Sequence, residues 1–299
     1  MNNLNDSSTV LVAGATGFLG AEICRQLIAK NKKVKGLVRT TSDSNKVSQL
    51  NELGVDTVEG DLKNKDSVKD ALRGVSVVIS TVSSTFSRQE GDSIQTVDEE
   101  GQINLIDAAV DAGISQFIYV SFCAIPGQFS LQTAKRKVET HLAESGLSYT
   151  ILRPTYFMDI WLSPAVGFDY PNAKATIYGE GANKVSWIAI KDVASFAVAV
   201  LDNPVPGNRI IDLGGPGALS PLEVVNIFET SQEKKFDLQF VSEEALRAQK
   251  EAATDTLSES FAGLMLGVAK GSEIDMNDTI DLFQMQLTSV NNFAKKLDG

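Results

Sequence analysis

Short β-branched runs alternate with helical patterns along most of the chain, from about residue 9 to residue 213. Several of these runs, such as VSVVIS, are apolar throughout. A strand that is covered by helices on both faces needs this pattern, so the runs predict a parallel sheet inside a three-layer α/β sandwich. The predicted strands are residues 9–13, 34–39, 56–60, 75–80, 116–121, 148–153 and 209–214.

The regular alternation weakens after Arg153. Residues 154–184 are rich in aromatic residues, Gly and Pro, which is typical of a binding loop and cap and not of a βαβ unit. The pattern over residues 220–299 is mainly helical. We therefore predict an α/β core at 1–153 and a smaller, mainly helical substrate-binding region at 154–299. Within that region, residues 185–214 return a helix and a strand to the core.

Composition and charge exclude several functions. The chain has 299 residues, of which 43% are hydrophobic and 22% charged, as in an ordinary globular protein. Its apolar runs are too short to cross a bilayer and its first eight residues are polar, so we expect a cytoplasmic protein with no membrane contact. A net charge of -11 disfavours nucleic-acid binding. Two cysteines and one histidine give no support for a metal site or a Ser-His-Asp triad.

The first predicted strand runs directly into GATGFLG, which opens a helix. Gly14 permits a tight turn, Gly17 lets backbone N–H groups approach a pyrophosphate, and Gly20 brings the helix close to the strand. The N-terminus of the helix adds partial positive charge for the phosphates. A plain tight turn is the alternative, but the position before a run of βα units favours a Rossmann-type, doubly wound dinucleotide-binding fold. The residues assigned to the cofactor in this segment are Gly14, Thr16, Gly17, Phe18, Leu19 and Gly20.

The chain resembles the NmrA-like group of atypical short-chain dehydrogenase/reductases in the motifs GATGFLG, LVR, GDL, VSFCAIPG, TAKRKVE, YTILRPTYFMD and WIAIKDVA. That group includes quinone, triphenylmethane, isoflavone and phenylcoumaran benzylic ether reductases, and some redox-sensing regulators. The resemblance covers nearly the whole chain. It implies the fold and a nicotinamide cofactor, and it leaves the substrate open.

Arg39 ends the second predicted strand, where an NAD-selective site presents a carboxylate to the ribose 2′-hydroxyl. A guanidinium there binds a 2′-phosphate through paired hydrogen bonds, so we expect NADP(H) to be preferred over NAD(H). Lys46 supplies a second cation in the following segment, and a solvated basic loop is the alternative for both residues. The resemblance also assigns to the cofactor the residues Asp61, Leu62, Ser80, Thr81 and Val82.

The helix between the fifth and sixth predicted strands carries Lys135. Standard short-chain reductases use a Tyr and, four residues later, a Lys on this helix, with a Ser from the end of the fifth strand. The resemblance places the catalytic lysine on Lys135, but Leu131 stands at the Tyr position and Phe122, next to Ser121, at the Ser position. We expect Lys135 to hold the ribose and polarise the acceptor, and both Ser121 and Phe122 to lie against the cofactor. The literal YxxxK motif at 170–174 follows the sixth strand and contains turn residues, which indicates a decoy.

The segment RPTYFMDIW is expected to extend from the end of the sixth strand into the pocket. We assign Pro154 and Thr155 to the nicotinamide and Tyr156, Phe157 and Met158 to the substrate. An apolar, aromatic wall suits a flat hydrophobic acceptor. Core packing is the alternative for Tyr156 and Met158. Farther along the chain, Asp192 is expected to cap a helix.

Three functions are compared. The first is an NADPH-dependent reductase of a small, planar, apolar carbonyl, quinone or conjugated compound, acting as a monomer or homodimer. The second is an NADP(H)-binding redox sensor or interaction protein without turnover, which the missing Tyr and Ser would permit. The third, a nucleotide-sugar epimerase or dehydratase, is disfavoured because that chemistry depends on the absent Tyr. We expect a small-molecule substrate and no metal.

Overall fold

The computed structural model of the chain describes residues 8–86, 89–202 and 208–298. Its strands are β1 Thr9–Ala13, β2 Lys33–Val38, β3 Asp56–Glu59, β4 Val77–Ser80, β5 Gln116–Val120, β6 Tyr149–Pro154, β7 Phe168–Asp169, β8 Lys174–Tyr178, β9 Arg209–Leu213 and β10 Asp237–Val241. Its α-helices are α1 Phe18–Ala29, α2 Ser44–Glu52, α3 Lys65–Ala71, α4 Glu100–Asp111, α5 Ser130–Glu144, α6 Met158–Trp161, α7 Ile190–Asp202, α8 Pro221–Gln232, α9 Glu243–Glu251, α10 Thr256–Lys270, α11 Asn277–Phe283 and α12 Val290–Asp298. A π-helix at Ile94–Glu99 leads directly into α4.

Seven strands form one sheet in the order β3-β2-β1-β4-β5-β6-β9. The neighbouring pairs from β3 to β6 are parallel. All seven predicted strands are present, with ends that differ by one or two residues, and the predicted Rossmann-type α/β fold is confirmed. The strand order reverses between β1 and β4, and open α/β sheets bind their ligands at such a switch point.

The central strands of the sheet are buried because they are apolar on both faces. Every residue of β4 and β5 is buried, and the helices α3, α4 and α5 contribute apolar side chains to the same core cluster. Cys24 and Cys123 are both buried, and neither forms a disulfide bond within the described part of the chain.

Helix α2 lies where the sequence was interpreted as a basic loop. Asp43 is its N-cap, and the carboxylate accepts hydrogen bonds from the backbone N–H groups of Asn45 and Lys46. A side-chain oxygen at this position satisfies N–H groups that have no partner within the helix. Lys46 therefore belongs to the first turn of a helix and not to a loop.

The chain divides into two compact units. The first comprises residues 1–121, 133–153 and 193–211, and the second comprises residues 122–132, 154–192 and 212–299. The predicted boundary at 153/154 coincides with one of these divisions. The second unit also receives residues 122–132, which the prediction assigned to the core.

The second unit contains a small sheet that the sequence did not predict. Its order is β10-β8-β7, with β8 parallel to β10 and antiparallel to β7. The ring of Phe168 in β7 lies 4.9 Å from that of Phe228 in α8 and 5.6 Å from that of Phe236. These strands escaped prediction because β7 has two residues and β10 is largely exposed, so neither gives a continuous apolar run.

Two smaller expectations have different outcomes. Tyr170 begins a short 3₁₀ turn and Lys174 begins β8, so the YxxxK motif there is a decoy, as expected. The expectation that Asp192 caps a helix is wrong, because its carboxylate accepts hydrogen bonds from the backbone N–H and hydroxyl of Thr288. The carboxylate that accepts the N–H of Ile190 at the start of α7 is that of Asp159. Among the described residues, no helix is long and apolar enough to cross a membrane.

Candidate functional site

The turn between β1 and α1 has the form that a phosphate-binding loop requires. Gly14 has a φ of 85°, in the left-handed region that favours glycine, and its carbonyl accepts the N–H of Gly17 at 2.9 Å. A Cβ at Gly14 would lie 2.6 Å from the hydroxyl oxygen of Thr81, and one at Gly20 would lie 2.1 Å from the carbonyl oxygen of Gly14. Side chains are thus excluded at both positions, and the backbone at the start of α1 is left bare.

A cavity of about 120 Å³ opens beside this turn, within the first unit. Its lining residues are Gly14, Thr16, Gly17, Leu37, Arg39, Ser42, Gly60, Asp61, Leu62, Thr81, Val82, Ser83, Asp92 and Val97. The volume is smaller than the roughly 300–1,000 Å³ of a whole ligand site, so the cavity has room for only part of a dinucleotide. Eight of the predicted cofactor residues therefore line one cavity at the carboxyl ends of β1 to β4.

Several other predicted cofactor residues of this unit lie outside that lining. Phe18 is exposed, and the Nζ of Lys46 lies 5.7 Å from the centre of its ring. Leu19 is buried in α1. The hydroxyl of Ser80 donates to the side-chain oxygen of Gln102 at 2.8 Å, below the cavity. Lys46 and Arg39 are thus not brought together on one cavity wall, and the assignments of these residues stay predictions.

Arg39 and Lys63 share the carboxylate of Asp92. Arg39 donates from Nη1 to Oδ2 at 2.6 Å, and Lys63 donates from Nζ to Oδ1, also at 2.6 Å. The Asp92 side chain is 1% exposed, and the backbone N–H of Gln89 also donates to its Oδ2. Burial raises the pKa of Asp92, but the bonds from Lys63, Arg39 and Gln89 outweigh burial and hold it below the ordinary value.

Lys135 projects from α5 into a buried position next to the cavity. Its side chain is 5% exposed, and its Nζ lies 3.7 Å from Oδ1 of Asp98 and 3.5 Å from the carbonyl oxygen of Val82. Val82 is also a lining residue of the cavity. The ring of Tyr119 supplies a further contact, with its centre 5.3 Å from the same ammonium group. The ammonium group thus contacts the backbone of Val82, which lines the cavity, while Lys135 itself is not a lining residue.

Asp98 is the carboxylate that opposes the cost of burying Lys135. It lies in the π-helix, is fully buried, and accepts at Oδ2 from the backbone N–H and the hydroxyl of Ser84. Burial lowers the pKa of Lys135, and Asp98 followed by Glu139 acts in the opposite direction, with a net lowering. A lysine with a lowered pKa can donate a proton or polarise an oxygen near neutral pH.

Glu139 follows Lys135 by one helical turn and is fixed by two cations. Its carboxylate accepts from the guanidinium groups of Arg136 and Arg153. Burial raises the pKa of Glu139, and the hydrogen bonds from Arg153 and Arg136 more than reverse that effect. Glu139 is therefore a structural ion-pair partner, and Lys135 keeps Asp98 as the carboxylate nearest to its ammonium group.

The remaining predicted residues lie in the second unit. The hydroxyl of Tyr156 donates to the carbonyl of Leu264 at 3.0 Å, and its ring packs edge-on to Trp161 at 5.0 Å. Burial raises the pKa of Tyr156 well above its usual range. These are the contacts of a packed side chain, as the core-packing alternative expects, and the assignment of Tyr156 to the substrate stays a prediction. Among the other predicted residues of this unit, Phe122 stacks on Phe129. Pro154 and Thr155 are buried at the end of β6, Phe157 is half-buried and Met158 is buried.

Comparison with known proteins identifies the family. The sequence model of the NmrA-like family matches residues 6–293. The chain belongs to the NmrA-like family. In this family it is 29% identical over 257 residues to a probable pinoresinol-lariciresinol reductase of Arabidopsis thaliana, covering 82% of this chain and 80% of that one. It is 30% identical over 227 residues to the photosystem II assembly factor Ycf39 of Trieres chinensis, covering 74% of this chain and 68% of that one.

Among solved structures, this NmrA-like chain is similar to an NADPH-dependent quinone oxidoreductase of Escherichia coli that was crystallised with NADPH. The TM-score is 0.79 at 23% identity, and the match covers 97% of this chain and all of the other. At this identity the likeness shows the fold.

Three polar residues of the NmrA-like site were missed by sequence reasoning, namely Lys63, Asp92 and Asp98. Asp98 had a readable signal, because Ile94, Val97, Gly101 and Leu105 share its helical stripe and all are buried. A carboxylate within an apolar stripe needs a buried partner. Lys63 and Asp92 gave no such signal, because both lie in loops where periodicity carries no information.

Proposed function

We propose that the protein is an NADPH-dependent reductase of a small, planar, apolar carbonyl, quinone or conjugated compound, with Lys135 as its catalytic residue. The observation that carries this proposal is the buried ammonium group of Lys135, held between Asp98 and the carbonyl of Val82. Val82 also lines the cavity beside the glycine turn. A costly buried charge is thus maintained at the edge of a phosphate-binding cavity, and such perturbed groups concentrate at functional sites.

The residues present fit a dinucleotide. The glycine turn packs too closely against Thr81 and α1 to admit a Cβ at Gly14 or Gly20, and no side chain caps the start of α1 at Gly17, which lines the cavity. Arg39 lines the same cavity after the end of β2, and it shares its carboxylate partner, Asp92, with Lys63. The similarity to a quinone oxidoreductase crystallised with NADPH supports NADP(H) as the cofactor.

When bound, NADPH supplies the hydride. Lys135 then acts on the oxygen of the acceptor, on which negative charge develops as the hydride adds to the conjugated system. Its ammonium group donates a hydrogen bond to that oxygen and can give up a proton to it, because burial makes the neutral amine accessible. Asp98 keeps the ammonium group charged before the transfer and fixes its position.

Leu131 stands where standard short-chain reductases have a Tyr, and it is buried in α5. Reduction of an unactivated carbonyl gives an alkoxide that needs a proton donor at its oxygen, whereas reduction of a quinone or enone gives a delocalised oxyanion that an ammonium group can stabilise. The absence of Tyr therefore favours activated acceptors. The names of two similar proteins, a probable pinoresinol-lariciresinol reductase and an NADPH-dependent quinone oxidoreductase, support a reductase role.

A second candidate is a protein that binds NADP(H) without turnover and responds to it through a partner. The similarity to a photosystem II assembly factor favours this candidate, since an assembly factor acts on proteins. Leu131 in place of Tyr is compatible with it as well.

The two candidates differ in one experiment. Purified protein is mixed with NADPH and a panel of quinones, enones and azo compounds, and loss of the reduced nicotinamide absorbance is followed. Oxidation of NADPH that depends on both the acceptor and the protein supports the reductase. Tight NADPH binding with no oxidation by any acceptor of the panel would instead support the non-catalytic candidate.

A further inference from the structure

The cations at the end of the cavity already hold an anion, and that anion is part of the protein. Asp92 receives a hydrogen bond from Arg39 on one carboxylate oxygen and from Lys63 on the other, each at 2.6 Å. Arg39 and Asp92 both line the cavity, next to Ser42 and Asp61. A carboxylate that accepts from a guanidinium and an ammonium group has the same recognition chemistry as a phosphate oxygen pair.

The charges at this place balance without a ligand. Arg39 and Lys63 carry two positive charges, and Asp92 carries one negative charge; Asp61, whose carboxylate is 3.9 Å from the Nζ of Lys63, carries another. A phosphate monoester brings about 1.5 to 2 further negative charges near neutral pH. The phosphate therefore meets cations whose charge is already neutralised, unless one of the two carboxylates is displaced from them.

Asp92 is held in place by more than the two cations. The backbone N–H of Gln89 donates to its Oδ2, and the side chain of Gln89 in turn bonds to Thr41, two residues beyond Arg39. The carboxylate is thus anchored to the turn that follows β2, on the side of the cavity where Arg39 lies. It competes for Arg39 from a fixed position and not as a mobile surface group.

We infer that Asp92 occupies the subsite for the 2′-phosphate and limits the preference of the protein for NADP(H) over NAD(H). The inference rests on the proposed cofactor role. Asp92 would then determine cofactor specificity by competing for Arg39. The 2′-phosphate of NADP(H) has to displace the Asp92 carboxylate from Arg39. NAD(H), which has a free 2′-hydroxyl, leaves the ion pairs of Asp92 intact.

The alternative is that Asp92 only orients Arg39 for the phosphate. The two roles predict opposite changes in Asp92→Asn, which removes the charge and keeps an oxygen for the N–H of Gln89. Competition predicts tighter binding of NADPH by about tenfold, with the affinity for NADH changed by less than about twofold. Orientation predicts weaker binding of NADPH.

The test measures dissociation constants for NADPH, NADH, adenosine 2′,5′-bisphosphate and adenosine 5′-monophosphate by titration calorimetry. The two adenosine probes isolate the phosphate subsite from the nicotinamide. Asp111→Asn is the matched control, because Asp111 is exposed and pairs with Lys69 on the surface. Asp92→Ser replaces the Asn variant if thermal unfolding indicates that the latter is not folded. In an Arg39→Ala background, Asp92→Asn should increase the affinity for NADPH by a smaller factor.

The outcomes separate the two levels of the proposal. Binding of NADPH by the unmutated protein, with unchanged or weaker binding in Asp92→Asn, would overturn the inference and leave the cofactor assignment standing. An equal gain in NADPH affinity in the Arg39→Ala background would also overturn the inference, because the gain would then not come from freeing Arg39 of its pairing with Asp92. Failure of the unmutated protein to bind either dinucleotide would overturn the proposed function and, with it, the inference.

Discussion

The ammonium group of Lys135 lies 3.7 Å from the carboxylate of Asp98, and both side chains are almost completely buried. At this distance in a low-dielectric environment, the carboxylate stabilises the charged amine strongly. Ser84 holds Asp98 through two hydrogen bonds and thereby fixes the orientation of the pair. We therefore propose that Asp98 is a positioning residue that opposes the effect of burial on the pKa of Lys135 and holds its ammonium group in place.

Asp98→Asn should move the pH profile of the reductase to lower pH. Burial already lowers the pKa of Lys135, and Asp98 is the largest opposing influence. Without the carboxylate the pKa of Lys135 falls further. As pH rises, activity that requires the ammonium form is therefore lost at a lower pH in the variant than in the unmutated protein. The measurement is kcat as a function of pH for both proteins. Activity at the lowest pH values should be retained.

Glu99→Gln is the matched control for this change. Glu99 is the next residue and also a carboxylate, but its partner is Lys137 on the surface. Its pH profile should coincide with that of the unmutated protein. A uniform loss of activity in Asp98→Asn at every pH, without displacement of the profile, would mean that Asp98 is only structural.

Arg39→Ala should weaken binding of NADPH by about tenfold to a hundredfold and change the affinity for NADH little. Hydrogen bonds to charged groups contribute about 1.5–3 kcal/mol, and the 2′-phosphate is the only group that distinguishes the two cofactors. Dissociation constants from fluorescence titration give the comparison. Arg73→Ala, which removes an exposed arginine that pairs with Asp70, is the control. Equal affinity of the unmutated protein for NADPH and NADH would contradict the role assigned to Arg39.

Gly20→Ala should lower the free energy of unfolding by about 1–3 kcal/mol and abolish cofactor binding. The added Cβ would lie 2.1 Å from the carbonyl oxygen of Gly14, so helix α1 has to move away from the turn. Thermal unfolding and NADPH titration measure the two effects. Gly217→Ala is the control, because no atom lies within 4 Å of its added Cβ, and it should change stability by less than about 0.5 kcal/mol. A folded Gly20→Ala protein with unchanged NADPH affinity would be incompatible with the proposed turn.

The strongly periodic parts of the fold could be predicted from the sequence, and the polar contacts could not. All seven strands of the main sheet were predicted because short β-branched runs alternate with helical patterns at regular spacing. Helix α2 was missed because its interior has one buried residue, Leu50, and its clearest signal is the single N-cap Asp43. In β10 the exposed pattern hid the strand. Periodicity reports burial, and these segments have little of it.

The candidate site divides in the same way. Gly14, Gly17 and Arg39 follow from the order of strand, turn and helix, because the fold fixes where strands end. The ion pair of Arg39 does not, since its partner Asp92 lies 53 residues farther along the chain and Lys63, the second cation on Asp92, lies 24 residues beyond Arg39. Asp98 lies between these cases, because its helical stripe marks it as buried but does not name Lys135 as its partner.

The central claim is that Lys135 acts on the acceptor during hydride transfer. It is tested most directly in a single turnover, in which protein preloaded with NADPH is mixed with the best acceptor of the panel in a stopped-flow instrument. Lys135→Ala should reduce the rate of NADPH oxidation by about a hundredfold or more while NADPH remains bound. Lys137→Ala, two residues away and exposed, should react at the rate of the unmutated protein. Equal rates for Lys135→Ala and the unmutated protein would contradict the account.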